Sequence, residues 1–237
     1  MKKFLFLLLV ITSCNSGSFE NPFDIQYKGA LKLMMKKGDI TAKADLDTLQ
    51  NIQNLFALGA VENLKGEIQI LDSKPYLTLV KEGAAVIDSS YDKKATLLVW
   101  ATVEKWQEIA VPNSIQSFKA FEAFIQKAAS EHGIDPINPF PFLLDGIAKS
   151  IDWHIIDWKE GDMEHSHQKH VQSGLYGTLE NIEVEILGFY SQHHKAIFTH
   201  HTTNIHAHFK TDNAPFGGHI DDLTLGTNMI LRIPVVN

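Results

Sequence analysis

The feature that most limits the fold is the run of strand-like segments filling the chain from Phe140 to Val236. FPFLLDG, SIDWHIIDW, GLYGTLENIEVEILGFY, KAIFTHHTTNIHAHFKT, GGHIDDLTLG and MILRIPVV follow one another with little between them. Short strand signals separated by Gly, Asn and Asp pair with their sequence neighbours, so this half is expected to be antiparallel sheet. Helical spacing is expected in the first half, in YKGALKLMMKKGDI, in ADLDTLQNIQNLFALGA and most clearly in SIQSFKAFEAFIQKAASEHG. There Ser114 or Ser117 can cap the start, and Gly133 stands at the end. GEIQILD and PYLTLVKEG, with Asp72, Ser73 and Lys74 between them, read as a hairpin, and ATLLVWATV and KWQEIAV as further strands. The class is therefore α+β, with a helix-rich first half and an antiparallel second half.

The chain has 237 residues, enough for a real core in one domain or two small ones. Its formal net charge is -7 and Arg232 is its only arginine, which argues against nucleic acid as a partner. The start is read apart from the fold. MKKFLFLLLVITSC has two lysines, an apolar run from Phe4 to Ile11 too short to span a bilayer, and then the only cysteine, Cys14. ITSC resembles a bacterial lipobox. Residues 1–14 are thus an expected export signal ending at a lipidated Cys14, residues 15–24 a tether, and residues 25–237 a single domain. The protein is expected to be exported and to meet a membrane only through a lipid anchor in the cell envelope. The alternative is a plain signal peptide with an incidental cysteine. With no second cysteine, the fold uses no internal disulfide.

Twelve histidines are the main chemical signal. His165, His167 and His170 in MEHSHQKH read as a solvated loop, as do His193 and His194. His200 and His201 are adjacent, so on a strand they face opposite sides. His206 and His208 differ, because a spacing of two on a strand puts both rings on one face. TDNAPFGG then supplies a turn, and His219 opens the next strand, where a hairpin-like return brings it beside the pair. Three neutral imidazoles converging in this way resemble a divalent metal site with open positions. Zn2+ is the default, with Fe, Ni, Co or Mn open by ligand type. On the residues alone, two water-facing histidines and an unrelated third remain an alternative.

HAHF, followed eleven residues after His208 by His219 in FGGHI and preceded by ILGFYS, resembles the alpha-acetolactate decarboxylase family. LGAVENLKGEIQILDSKPYL is similar to that family's GLGT…L-x-GE…LDG-x-x-Y segment, IQYKGALKLMMKKGDI to its opening helix, and FPFLLDG to its strand before an arginine segment. The likeness runs from about Ile25 to Pro234. It implies a two-subdomain arrangement of mixed and antiparallel sheets with a few helices, and dimers in the family point to a homodimer. It implies metal ligands His206, His208 and His219, with Glu67 as the active-site glutamate near the metal.

The implied reaction is decarboxylation of 2-acetolactate, or a related 2-hydroxy-3-keto acid, to acetoin through a metal-stabilised enediolate, with Glu67 handling the proton. No organic cofactor is implied, and there is no G-x-G-x-x-G or P-loop motif. Two departures stand out. Counting from Asp145 and Gly146 places His154 where the family has an arginine, and imidazole does not make a bidentate carboxylate clamp; a strand histidine that simply packs is the other reading of His154. The chain also ends at LRIPVVN, without the family's C-terminal glutamate, unless Glu62 or another acid replaces it. These departures leave a second reading, a non-catalytic or substrate-changed metal-binding lipoprotein on the same scaffold.

Overall fold

The computed structural model describes residues 23–211 and 215–236, so the expected export signal and most of the expected tether lie outside the described residues. In chain order the first half carries β1 (Gln26–Lys28), α1 (Leu31–Lys37), β2 (Ala44–Asp45), β3 (Leu55–Val61), β4 (Glu67–Leu71), β5 (Lys74–Lys81), β6 (Ala84–Asp88), β7 (Lys94–Thr102), β8 (Trp106–Ala110) and α2 (Phe118–Glu131). The second half carries β9 (Phe140–Ile155), α3 (His167–Gln172), β10 (Leu175–Tyr190), β11 (Ile205–Thr211), β12 (Phe216–Leu225) and β13 (Ile230–Pro234).

Two sheets form. The first has the order β1-β7-β3-β4-β5-β6, with β2 also on β7. The second has the order β10-β11-β12-β9-β13-β8, and β10 also pairs β9. All pairings among these strands are antiparallel. The β10–β9 pairing closes β9, β10, β11 and β12 into a ring, which the length of β9 permits. Its later residues pair β12 from Ala148 to His154, while its earlier residues Leu143 to Asp145 pair β13.

Packing follows the period of two. In β3, Phe56 and Leu58 enter a core between the sheets, whereas Leu55 and Ala57 enter a core on the outer face of the first sheet. Both faces are buried, which explains the unbroken apolar run LFAL. In β4, Ile68 and Ile70 take the outer core, so Glu67 and Leu71 fall on the inner face. In β11, Ile205, Ala207 and Phe209 pack in the third core with Phe121 and Ile125 of α2, so His206 and His208 point the other way. Ser117 caps α2 by accepting from the Ala120 N–H at 3.2 Å.

Four expectations need correction. The first half is strand-rich rather than helix-rich. ADLDTLQNIQNLFALGA is not one helix. It makes a strand pair, a 3-10 turn at Leu46–Leu49 capped by Asp45, and then β3, entered through Asn54 at φ 54°. Its apolar spacing of three at Leu46 and Leu49 serves that short turn. MEHSHQKH is not a plain loop, because α3 starts there on Ser166, whose side chain accepts from the Lys169 N–H. KAIFTHHTTNIHAHFKT is strand only from Ile205. Ala196 at φ 58° begins a looped segment before it. The hairpin stands as read, its turn made by Asp72 and Ser73 at φ 47° and 60°.

Candidate metal centre

The ring of strands brings the expected histidines into one row. His219 of β12 is the register partner of both His208 on β11 and His154 on β9. His206 lies on the same face of β11, two residues before His208. The rings of His206, His208 and His219 have centroids 5.0 to 5.2 Å apart. His206 and His208 are buried and their Nε2 atoms stand 3.2 Å apart. The three residues could together hold one ion.

The donor set fits a divalent metal. Two nitrogens each about 2.1 Å from a tetrahedral zinc stand about 3.4 Å from one another, close to the observed separation. The rings are also neutral, as ligands must be. Burial pushes His206 down to about 3 and His208 and His219 well below the usual histidine range, with neighbouring histidines adding to the effect.

Glu67 reaches this cluster from the other sheet. Its Oε2 is 3.6 Å from His208 Nε2. Its Oε1 accepts the Ile156 N–H at 3.0 Å and stands 3.8 Å from His154 Nε2. Burial raises its pKa to about 7, against the opposing pull of His154 and the Ile156 N–H. His154 is buried as well. Burial alone would lower its pKa, but the carboxylates of Asp221 and Glu67 outweigh this and raise it. The His154 Nδ1 lies 3.0 and 2.9 Å from the two Asp221 oxygens.

Glu67, His154, His206, His219 and Asp221 line one wall of a cavity of about 510 Å³, with His208 packed behind them. Other walls come from Leu64 and Ile156, from Lys119 and Glu122 of α2, and from His170 and His200. The solvated reading of MEHSHQKH fails at His165 and His170, while His167 is exposed. His170 is buried, accepts or donates a 2.8 Å bond with His165, and both rings pack on Trp158. Asp221 was missed in the sequence, because its place on this wall depends on the register of β12 against β9. Glu62 instead accepts the Ala42 N–H at 3.3 Å and does not line the cavity. Arg232 lies away from it, paired to Glu108 and Asp145.

The alpha-acetolactate decarboxylase family model matches residues 30–237. The chain belongs to the alpha-acetolactate decarboxylase family. Solved structures share its fold at low identity. Alpha-acetolactate decarboxylase from Bacillus subtilis strain 168 superposes with a TM-score of 0.70 at 16% identity, covering 90% of this chain and 86% of that one. Acetolactate decarboxylase from Bacillus subtilis subspecies spizizenii gives 0.69 at 16% with the same coverage. A Staphylococcus aureus protein of unknown function, described as similar to alpha-acetolactate decarboxylase, gives 0.67 at 17%, again covering 90% and 86%. No curated protein matches the chain. Within the alpha-acetolactate decarboxylase family the chain is divergent, at 16–17% identity to these structures.

Proposed function

We propose that this acetolactate decarboxylase family member is a metal-dependent carboxy-lyase acting on 2-acetolactate or a related 2-hydroxy-3-keto acid to give acetoin or its homologue. The observation that carries the reading is the convergence of three neutral imidazoles from one sheet, His206 and His208 buried and His219 partly so, with a buried glutamate from the other, beside a small-molecule-sized cavity. His206, His208 and His219 would hold the ion, zinc by the fit of the donor set. A divalent ion there supplies a Lewis acid for the negative charge that develops as CO2 leaves.

The chain's own residues do the rest. The Ile156 N–H holds Oε1 of Glu67, which leaves Oε2 on the side facing His208. A carboxyl with a pKa near 7 is protonated in a large fraction of molecules at neutral pH, so Oε2 can carry the proton that must return to carbon. His154 stands beside Glu67 and keeps that carboxyl in place. Leu64 and Ile156 supply apolar wall that limits water around the proton on Oε2. The lipobox-like ITSC supports an exported, lipid-anchored placement.

A second reading has its own observation. No arginine lines the cavity, so the scaffold could hold an ion without turning over an acetolactate-like acid. The test is acetoin formation from racemic 2-acetolactate by zinc-loaded protein from Asn15 onward, beside His206→Ala. Turnover by the wild type alone supports the lyase. Retained zinc without turnover sinks it in favour of the binding protein.

A further inference from the structure

Asp221 stands at an irregularity of the sheet. Along β12 and β9, Ile220 pairs Trp153 and Asp222 pairs Asp152, so Asp221 is the extra residue of a β-bulge. A bulge re-aims the side chain it inserts. Here it places Asp221 on the cavity wall, with both carboxylate oxygens within 3.0 Å of Nδ1 of His154. The other nitrogen of that ring, Nε2, then faces Oε1 of Glu67 at 3.8 Å. Glu67 in turn faces His208. One bulged residue thus determines how a ring stands against the buried glutamate of the opposite sheet.

We propose that Asp221 is a positioning residue: the bulge in β12 holds its carboxylate on Nδ1 of His154, and so turns Nε2 of His154 toward Glu67, without Asp221 or His154 being a metal ligand. A competing arrangement is available. His154, His219 and Asp221 also lie close enough together to hold a metal. In that arrangement Asp221 and His154 are ligands, and Asp221 is no longer the acceptor that orients the ring through its Nδ1–H. The two assignments differ in what happens to the ion when Asp221 changes. The kinetic part of the proposal rests on the lyase reading above; the spectroscopic part does not.

The experiment compares wild type, Asp221→Ala and Asp221→Asn, each loaded with zinc. Asparagine keeps an oxygen acceptor for the Nδ1–H, so it is the gentler variant and also guards against misfolding of Asp221→Ala. Three quantities are measured: zinc affinity by competition with a chelating dye, imidazole proton and nitrogen resonances by NMR without substrate, and kcat and KM for 2-acetolactate. Partners that orient a ligand or catalytic group cost about 10–100-fold in activity when removed. The expected result is a kcat lowered by about 10-fold or more in Asp221→Ala and by less in Asp221→Asn. KM and zinc affinity are expected to stay within a factor of about three, well under that range. In the wild type, the Nδ1 proton of His154 gives a low-field, hydrogen-bonded resonance that Asp221→Ala abolishes.

Zinc affinity falling by more than about 10-fold in both variants overturns the proposal and makes Asp221 or His154 a ligand. An unchanged His154 resonance in Asp221→Ala also overturns it, as does an unchanged kcat where the wild type turns over. If the wild type makes no acetoin, the lyase reading falls, while zinc affinity and the His154 resonance still decide the positioning role.

Discussion

At the scale of single residues, the site separates groups that hold charge from groups kept neutral. His206 is expected to be indispensable for the ion. Isothermal titration with zinc should show His206→Ala weakened by more than about 100-fold, beyond the loss typical of outer partners. Glu67→Gln should keep one zinc per chain and lower turnover by about 100-fold or more, the range of a general acid or base. Glu67 also has a signature in stability. Its folded pKa, about 7, lies above its ordinary value of 4.5, so the stability it contributes is fully present below 4.5 and is lost as pH rises through 7. In metal-free protein, Glu67→Gln is therefore expected to gain on the wild type in Tm between pH 4.5 and 8. A constant difference across that window would contradict the raised pKa. The ligand histidines act in the opposite sense. Their folded pKa values lie below 6.5, so they cost stability as pH falls beneath that value.

At the scale of elements, the sequence disclosed what local physics decides. Asp72-Ser73 marks its hairpin because both residues sit at positive φ in a two-residue turn, and α2 shows its cap and its apolar stripe. The spacing of His206 and His208 gave a shared face for the same local reason. What stayed hidden depended on partners distant in sequence. β3 carries apolar residues on both faces because cores lie on both sides of it, and no local pattern separates such a strand from a buried helix. His170 looked solvated because its cover is Trp158 and His165. The bulge at Asp221 is a property of the β12–β9 register and has no local sequence signature. Close strand approach gives a further prediction. A Cβ on Gly59 would lie 1.9 Å from the Leu97 carbonyl oxygen, so Gly59→Ala must force β3 and β7 apart. A destabilisation of about 1–3 kcal/mol is expected in urea titration, as for other overpacked sites. An unchanged midpoint would show that the strands yield freely.

At the scale of the whole molecule, the site is a contact between sheets. Glu67 belongs to the first, and the three histidines with His154 belong to the second. An ion held there is linked to the global fold, because the unfolded chain cannot assemble these groups. Zinc at about 1,000 times its dissociation constant is expected to add about 4 kcal/mol of stability. Chelation should therefore lower Tm by several degrees in the wild type and leave His206→Ala unmoved. Equal shifts in both would mean that zinc binds elsewhere. The three histidines stand on hydrogen-bonded strands of a closed ring, whereas much of the cavity wall comes from α3, the start of α2 and the looped residues after Ala196. Insertions and replacements are tolerated in connections and punished in paired strands. In evolutionary terms the histidine row and its enclosure are separately heritable: descendants of this chain can exchange the wall, and with it the molecule admitted, while the strand face that carries the imidazoles passes on unchanged.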